Sequence, residues 1–402
     1  MINRSFSRLF WSQAFANIGD VLYIMALIAL LYEKHTSVFV VSLLPFLITM
    51  SKFSFGIVAP LVLDKYPLTY LLRMTQLLKV FFFIGLLISL TVFDQPIILI
   101  LIFVGLLGLA DGLQEPVSQA LVPSLVSKDE RVQANSLLSI QFQMTDLLTW
   151  SLGAVFVALI GSKAALFVTL IAYVVALLLA YGVQVMYVYE VAHETVDSVK
   201  ASLLEGWKTL VRDDVLRHFL WMNIVKGIVY TLWVASILYV FVDDVFGRGE
   251  EWWGYLNASR IFGAILGGFF MYKIAKRFQH QLPRLLVSAT VMIAIITLAF
   301  GLNTSVYVAL VLVFFLGLPE QVVEVTRTTL TQQRVQEAQL AKVYTAQSMI
   351  YYLVFSGAVL VVGGLVDLFS VQPVFIIISL LLWLNVYLAF RLNQKRNKER
   401  ER

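Results

Sequence analysis

The sequence predicts an all-α membrane protein of twelve transmembrane helices in two pseudo-symmetric six-helix bundles. Three observations predict it. First, 60% of the 402 residues are hydrophobic and only 14% are charged, with a mean hydropathy of +0.84, which is far from the mix of a water-soluble domain. Second, runs of about 20 apolar residues, the length that crosses hydrocarbon as a helix, recur along the whole chain. Third, one long polar segment divides these runs near the middle, and the same short motifs follow in the same order on its two sides.

The spans are expected, in order, at 8–32, 38–62, 72–92, 96–121, 132–158, 163–187, 218–241, 252–272, 285–302, 305–329, 339–366 and 371–391. The N-terminal "MINRSFSRLFWSQAF" has two early arginines and no small-residue cleavage site, so the first span is expected to be retained. The polar divider is "EVAHETVDSVKASLLEGWKTLVRDD", residues 190–214, within which "SLLEGWKTLV" has the pattern of an amphipathic helix lying on a membrane surface. The expected organisation is an N-terminal bundle over 1–189, a cytoplasmic linker over 190–216, a C-terminal bundle over 217–391 and a basic tail over 392–402.

Orientation follows from lysine and arginine. With both termini inside, the outer loops carry only Lys34, Lys163 and Arg248, while inner loops and tails take most of the 30 basic residues, as the positive-inside rule requires. The net charge of +5 reflects that bias and does not imply nucleic acid. The tail "RLNQKRNKERER" is a topology anchor or a contact for anionic lipid.

The internal repeat supports the two-bundle reading. "LGLADGLQE" at 107–115 aligns with "LGLPEQVVE" at 316–324, setting Asp111 opposite Glu320 and Glu115 opposite Glu324. "RVQANS" and "KVYTAQS" follow, then "SLGAVFVALIG" and "FSGAVLVVGGLVD". Spans 4 and 5 thus correspond to spans 10 and 11, a parallel duplication of six spans.

Several chemistries drop out. There is no cysteine, hence no disulfide framework and no thiolate metal site, and His35, His193, His218 and His280 fall in loops or near helix ends. Glycines in "RIFGAILGGFF" and "FSGAVLVVGGLVD" suit close helix packing, since no P-loop or dinucleotide-binding pattern is present. No cofactor is expected, and neither a nucleophile elbow nor an acid-paired metal motif points to an enzyme. Without a nucleotide site, any work must draw on an ion gradient.

Against this apolar background the charges inside spans stand out, because ionisable groups at membrane depth usually face a cavity or one another. They are Asp20, Lys52, Lys79, Asp111, Glu115, Asp146, Lys226, Arg260, Glu320 and Glu324. Six are acids and four are bases, so two carboxylates are expected to lack a partner, and an unpaired carboxylate in an apolar setting is suited to taking up and releasing protons. Lys79 lies a turn or two inside the cytoplasmic edge and is expected to snorkel to it. Lys52, Asp146 and Arg260 either form structural salt bridges or serve transport. Glu115 and Glu324 either do the same or are simply hydrated near the cytoplasmic end. Lys226 is either a counter-ion of Glu320 or a contact for a substrate phosphate. The aromatics Phe142, Trp150, Tyr230, Trp233, Tyr344, Tyr351 and Tyr352 either line an amphipathic pocket or sit at the membrane interface.

"EPVSQALVPSLVSKDERVQANSL" at 115–137, the linker "LLEGWKTLVRDDVLR" and the six-plus-six layout resemble the major facilitator superfamily, and within it the macrolide-efflux-like drug exporters. "SQAFANIGDVLYIMALIALL" in span 1 is also similar to lysophospholipid transporters. The resemblance implies the major facilitator fold in a bacterial plasma membrane, with spans 1, 4, 7 and 10 lining a central cavity. It implies proton-coupled export of hydrophobic or amphipathic small molecules by a monomer in contact with membrane lipid. Asp20, Asp111 and Glu320 would then couple protons, and Glu115, Lys226, Glu324, Asp146 and Arg260 would line the substrate cavity or act as charge partners. The alternative is a lysophospholipid or other metabolite transporter of the same fold, with Lys226 and Arg260 on the head group. The family's loop between spans 2 and 3 is glycine-rich and basic, whereas this chain has "GIVAPLVLDKYPLTYLLR". Asp64, Lys65 and Arg73 are therefore the residues left for a gating latch, with Asp64 expected at a neighbouring helix end or an arginine such as Arg131.

Overall fold

The computed structural model describes residues 3–34, 38–93, 97–185, 199–249, 251–278 and 281–401, and among these there is no strand. The helices are α1 (Arg4–Lys34), α2 (Val38–Lys65), α3 (Leu68–Val92), α4 (Ile97–Asp111), α5 (Gln114–Leu125), α6 (Arg131–Ile160), α7 (Ser162–Tyr181), α8 (Val199–Arg212), α9 (Asp214–Val229), α10 (Ala235–Phe246), α11 (Glu251–Phe278), α12 (Leu282–Leu302), α13 (Val306–Arg334), α14 (Glu337–Phe369), α15 (Val371–Leu380) and α16 (Leu382–Glu401). Each of the twelve expected segments is helical over most of its described residues. Nine described helical stretches are long and apolar enough to cross a membrane, and a tenth is the bent pair Asp214–Trp233 and Ile237–Phe246. The other two segments are α6 and α11, of 30 and 28 residues, ample for a crossing at about 1.5 Å per residue.

Three expected continuous spans are interrupted. Span 4 breaks at Gly112 and Leu113 between α4 and α5, where Pro116 has no N–H to return to the Gly112 carbonyl, so the helical ladder cannot run through. Span 12 is broken at Leu381. Span 7 bends by 53° through a 3₁₀ turn over Tyr230–Trp233 and an extended Val234 with ψ of 143°. No proline marks that bend, and the nearest glycine is Gly227. The expected loop after span 2 shrinks to Tyr66 and Pro67, because α2 runs through Lys65 and α3 starts at Leu68. Pro67, which cannot continue a helix, sets the corner with φ −59° and ψ 146°.

The chain divides into two compact units. The first comprises 1–128, 144–206 and 335–346, and the second comprises 129–143, 207–334 and 347–402. The first unit is centred on Leu22, Tyr23, Leu27, Phe83, Val104 and Tyr173, and the second on Leu232, Phe241, Leu256, Phe300, Val313 and Phe375. The aromatic core of the second unit is interlocked, with Phe241 and Phe375 centroids 4.9 Å apart and Phe300 and Phe375 5.2 Å apart, spacing at which offset ring pairs attract beyond their buried area. Outward positions such as Phe81, Ile98 and Leu360 are large, apolar and exposed, as expected of helices whose solvent is lipid. Of the linker, residues 190–198 lie outside those described, as do His35, His193 and His280. Its remainder, α8, buries Ser202, Gly206 and Leu210 at a spacing of four, which makes it the amphipathic helix its sequence predicts.

Candidate functional site

In the first unit, four charges from four helices meet. Lys79 of α3 is 1% exposed, yet all three of its ammonium N–H groups are used: it lies 2.6 Å from Asp20 Oδ1 of α1 and 3.2 Å from Asp111 Oδ1 of α4, and it donates to Gln114 Oε1 of α5 at 2.9 Å. Lys52 of α2 pairs with the other oxygen of Asp111. Tyr173 of α7 donates its hydroxyl to Asp20 at 2.7 Å and turns its ring toward the Lys79 ammonium at 4.9 Å, while Gln13 accepts from Gln114 at 3.1 Å. Two acids and two bases make the cluster formally neutral, the condition under which buried charges persist.

Local sequence explains why these groups meet. A Cβ on Gly108 would lie 2.9 Å from the Cβ of Ser51 and 3.1 Å from the Ile48 carbonyl oxygen, so only glycine lets α4 approach α2 closely enough for Asp111 to reach Lys52. The helix end at Asp111, forced by Gly112 and Pro116, then places Gln114 on the same side as Asp111 under the Lys79 ammonium. Gly112 likewise lies against α2, at Lys52 and Phe55.

The second unit repeats part of this arrangement. Gly317, the repeat partner of Gly108, seats α13 so tightly on α11 that an added Cβ would lie 2.0 Å from the Arg260 carbonyl oxygen. Glu320 accordingly faces a cation of the neighbouring helix, with Arg260 Nε 3.6 Å from its Oε2, just as Asp111 faces Lys52. Arg260 also donates to the Tyr230 hydroxyl at 2.7 Å, and its guanidinium lies 5.0 Å from the Tyr230 ring and 5.6 Å from that of Trp233. One turn further along α13, Glu324 pairs with Lys226 of α9 at 3.0 Å and with Arg327 at 2.7 Å, and Arg327 also bonds Asn223. The bend of span 7 brings Tyr230 and Trp233 to Arg260. Phe142 is exposed and Tyr344 buried, whereas Tyr351 lies under Lys226; the side chain of Trp150 is outside those described.

Several expectations change. Lys79 does not snorkel, because its ammonium satisfies two acids and an amide in the interior. The two unpartnered carboxylates are not found among Asp20, Asp111, Glu320 and Glu324, which all have cations. The charge count omitted Arg327, which the E-x-x-R spacing of "EVTR" places one turn from Glu324. Lys226 is the counter-ion of Glu324, and Arg260 takes the place expected of it at Glu320. Glu115 is exposed and accepts from Gln119 at 3.0 Å, outside the Lys79 cluster, and Asp146 is half-buried on α6.

The residues expected to form a gating latch are fastened chiefly through Asp64. Asp64, at the end of α2, pairs with Lys342 of α14 and accepts from Ser202 of α8. Lys342 is 3% exposed and also holds Glu205 of α8, which accepts from Gln339 at 2.7 Å. The cation is thus a buried lysine of α14 and not an arginine. Arg73 donates to the Val183 carbonyl at 3.0 Å, and Lys65 is exposed beside Tyr66.

The family model for the Major Facilitator Superfamily matches residues 9–359. The chain is 27% identical to the uncharacterized MFS-type transporter YfmI of Bacillus subtilis (strain 168), over 99% of its own length and 98% of that protein. Its fold is similar to a bacterial homologue of the iron transporter ferroportin in an outward-facing state, at 14% identity with a TM-score of 0.76, covering 98% of this chain and 100% of that one. It is equally similar to the Escherichia coli fucose:proton symporter, at 13% identity with a TM-score of 0.76, over 96% and 97% of the two chains. With helices, charged spans and a family match running along most of its length, the chain belongs to the Major Facilitator Superfamily of secondary transporters.

Proposed function

We propose that this transporter works as a proton-coupled drug antiporter of the macrolide-efflux-like type, exporting hydrophobic or amphipathic small molecules across a bacterial plasma membrane with both its termini in the cytoplasm. The observation that carries the reading is the neutral cluster of Asp20, Lys52, Lys79 and Asp111 held among spans of an ion-gradient-driven family. Charges this deep are expensive unless used, and Asp111 is the carboxylate that both lysines share. Adding a proton to it removes two ion pairs at once: Lys52 is released from α4, and Lys79 is left to Asp20 and Gln114. Proton uptake is thereby linked to the contact between α2 and α4, and loosening that contact is the trigger for the conformational switch. Glu320, with Arg260 on the equivalent helix pair, is the corresponding group of the second unit.

Reconstitution into proteoliposomes with an imposed pH gradient tests the coupling. Asp111→Asn is expected to abolish gradient-driven export of an amphipathic drug while leaving its equilibrium binding intact, and Asp20→Asn to weaken export less. Undiminished export by Asp111→Asn removes that residue from the mechanism, and export that is indifferent to the gradient in the native protein rejects proton coupling.

A further inference from the structure

The charge clusters of the two units do not balance alike. In the first unit two acids face two bases, and every N–H of the buried Lys79 already has an acceptor. In the second unit's cluster, among the described residues, Lys226, Arg260 and Arg327 face Glu320 and Glu324, which leaves one positive charge in excess. Lys226 is also far more open, with 43% of its side chain exposed.

Arg260 has spare capacity in a suitable place. A guanidinium carries about five N–H donors, and among the described residues this one makes a single hydrogen bond, to Tyr230, since its 3.6 Å approach to Glu320 is beyond hydrogen-bond range. It lines a small recess, with room for about one water-sized group, whose other walls are Trp233, Leu238, Leu256, Asn257 and Val313. Four of those walls are apolar and two lining groups are polar donors, the makeup of a site that orients a small polar head by a few fixed contacts. A recess of this size admits the tip of a small polar head, and the body of a ligand lies outside it.

The chemistry of the occupant follows by comparing the three charge types. A cation finds both carboxylates of the second unit already paired, and the faces of Tyr230, Trp233 and Tyr351 already turned to Arg260 and Lys226. A neutral apolar group expels water from the free guanidinium donors and leaves them unsatisfied, which is unfavourable. An anion satisfies those donors through the planar fork that matches carboxylate and phosphate and cancels the excess charge. We propose that the Arg260 pocket binds the anionic head of an amphipathic monoanion, a carboxylate or phosphate on an apolar body, and selects it over cationic cargo. This rests on the reading of the chain as a carrier of amphipathic small molecules and names the class it prefers.

Equilibrium binding of radiolabelled naphthoate to the purified full chain in lipid nanodiscs tests it, with naphthylmethylammonium, naphthalenemethanol and a lysophosphatidate as competitors. Naphthoate is expected to bind at least about tenfold more tightly than its cationic counterpart, the scale of one charge-assisted contact. Arg260→Gln should remove that preference, and Arg260→Lys should keep part of it. The double variant Arg260→Gln/Glu320→Gln leaves no unpaired carboxylate and preserves the net charge, so it should lose the preference too if the pocket itself is the site. Equal or tighter binding of the cation to the native protein overturns the proposal, as does an unchanged preference in a folded Arg260→Gln or double variant. Displacement by the lysophosphatidate at lower concentration than by naphthoate assigns the anion to a lipid, and the reverse order assigns it to a soluble carboxylate; both support the site. Export is measured separately, so lost pH-driven efflux with the anion preference intact rejects the exporter reading alone.

Discussion

Replacing Lys79 by methionine is the sharpest test of the first-unit cluster, because it removes charge from a side chain that is 1% exposed without removing much volume. Asp20 then keeps only the Tyr173 hydroxyl among its described partners, and the cluster becomes net negative in a buried place. Removing one partner of a buried pair costs about 3–5 kcal/mol. Lys52 remains on Asp111, so the loss falls mainly on Asp20 and the lower end, about 3 kcal/mol, is the working figure. For a compact unit of roughly 200 residues, that corresponds to a fall of about 10 °C in unfolding midpoint. Thermal unfolding followed by size-exclusion in detergent gives the number. The double variant Asp20→Asn/Lys79→Met restores neutrality and should recover more than half of the loss. A midpoint unchanged by Lys79→Met, or a double variant no more stable than the single, would refute the argument that charge balance holds the cluster together.

Gly317→Ala is expected to destabilise by about 1–3 kcal/mol through overpacking, since its Cβ would collide with the Arg260 backbone, and Gly108→Ala should cost less because part of its contact is the Ser51 side chain; paired unfolding midpoints check the order, and equal midpoints would contradict it. Lys342→Met removes the cation that holds both Asp64 and Glu205, so amide hydrogen exchange across Val199–Arg212 should accelerate, and unaltered protection there would mean that α8 is held by other contacts. Asn223→Ala, which takes a partner from Arg327 but leaves both cations on Glu324, should change stability much less than Lys79→Met, a ranking read from the same unfolding assay.

What was legible in the sequence divides by the kind of signal involved. Helix positions were readable because hydrophobic run length is a local property, and the repeat alignment set Gly108 opposite Gly317 and Asp111 opposite Glu320. Partner choice was not readable, because it depends on which turn of one helix faces which turn of another. Lys79 looked peripheral by its distance from the chain's polar edge, yet α3 carries it to the point where α1 and α4 meet. Lys342 opens "KVYTAQS", the repeat counterpart of "RVQANS" at Arg131, but nothing in that match says which of the two faces Asp64. Arg327 was missed although it falls inside the expected span 305–329 and its spacing from Glu324 is plain.

The duplicated pair and the unduplicated cations then separate two tasks. Each unit keeps one acid on the helix after a glycine-tight crossing and one base on the helix that it crosses, so this pair belongs to the architecture shared by the repeats. The additional groups differ. In the first unit's cluster they are Lys79 and Asp20, which add equal charge of both signs and close the network on itself. In the second unit they are Lys226, Arg327 and Glu324, which add more positive than negative charge and leave Lys226 open and Arg260 with donors to spare. A closed neutral network is suited to switching and an open cationic one to holding an anion. On this division, charge-neutral substitution in the first unit should alter coupling with little effect on ligand preference, and substitution at Arg260 should alter preference before it alters coupling. Measuring naphthoate preference in Asp111→Asn beside pH-driven efflux in Arg260→Lys separates the two, and a variant that moved both quantities in proportion would show that the tasks are shared.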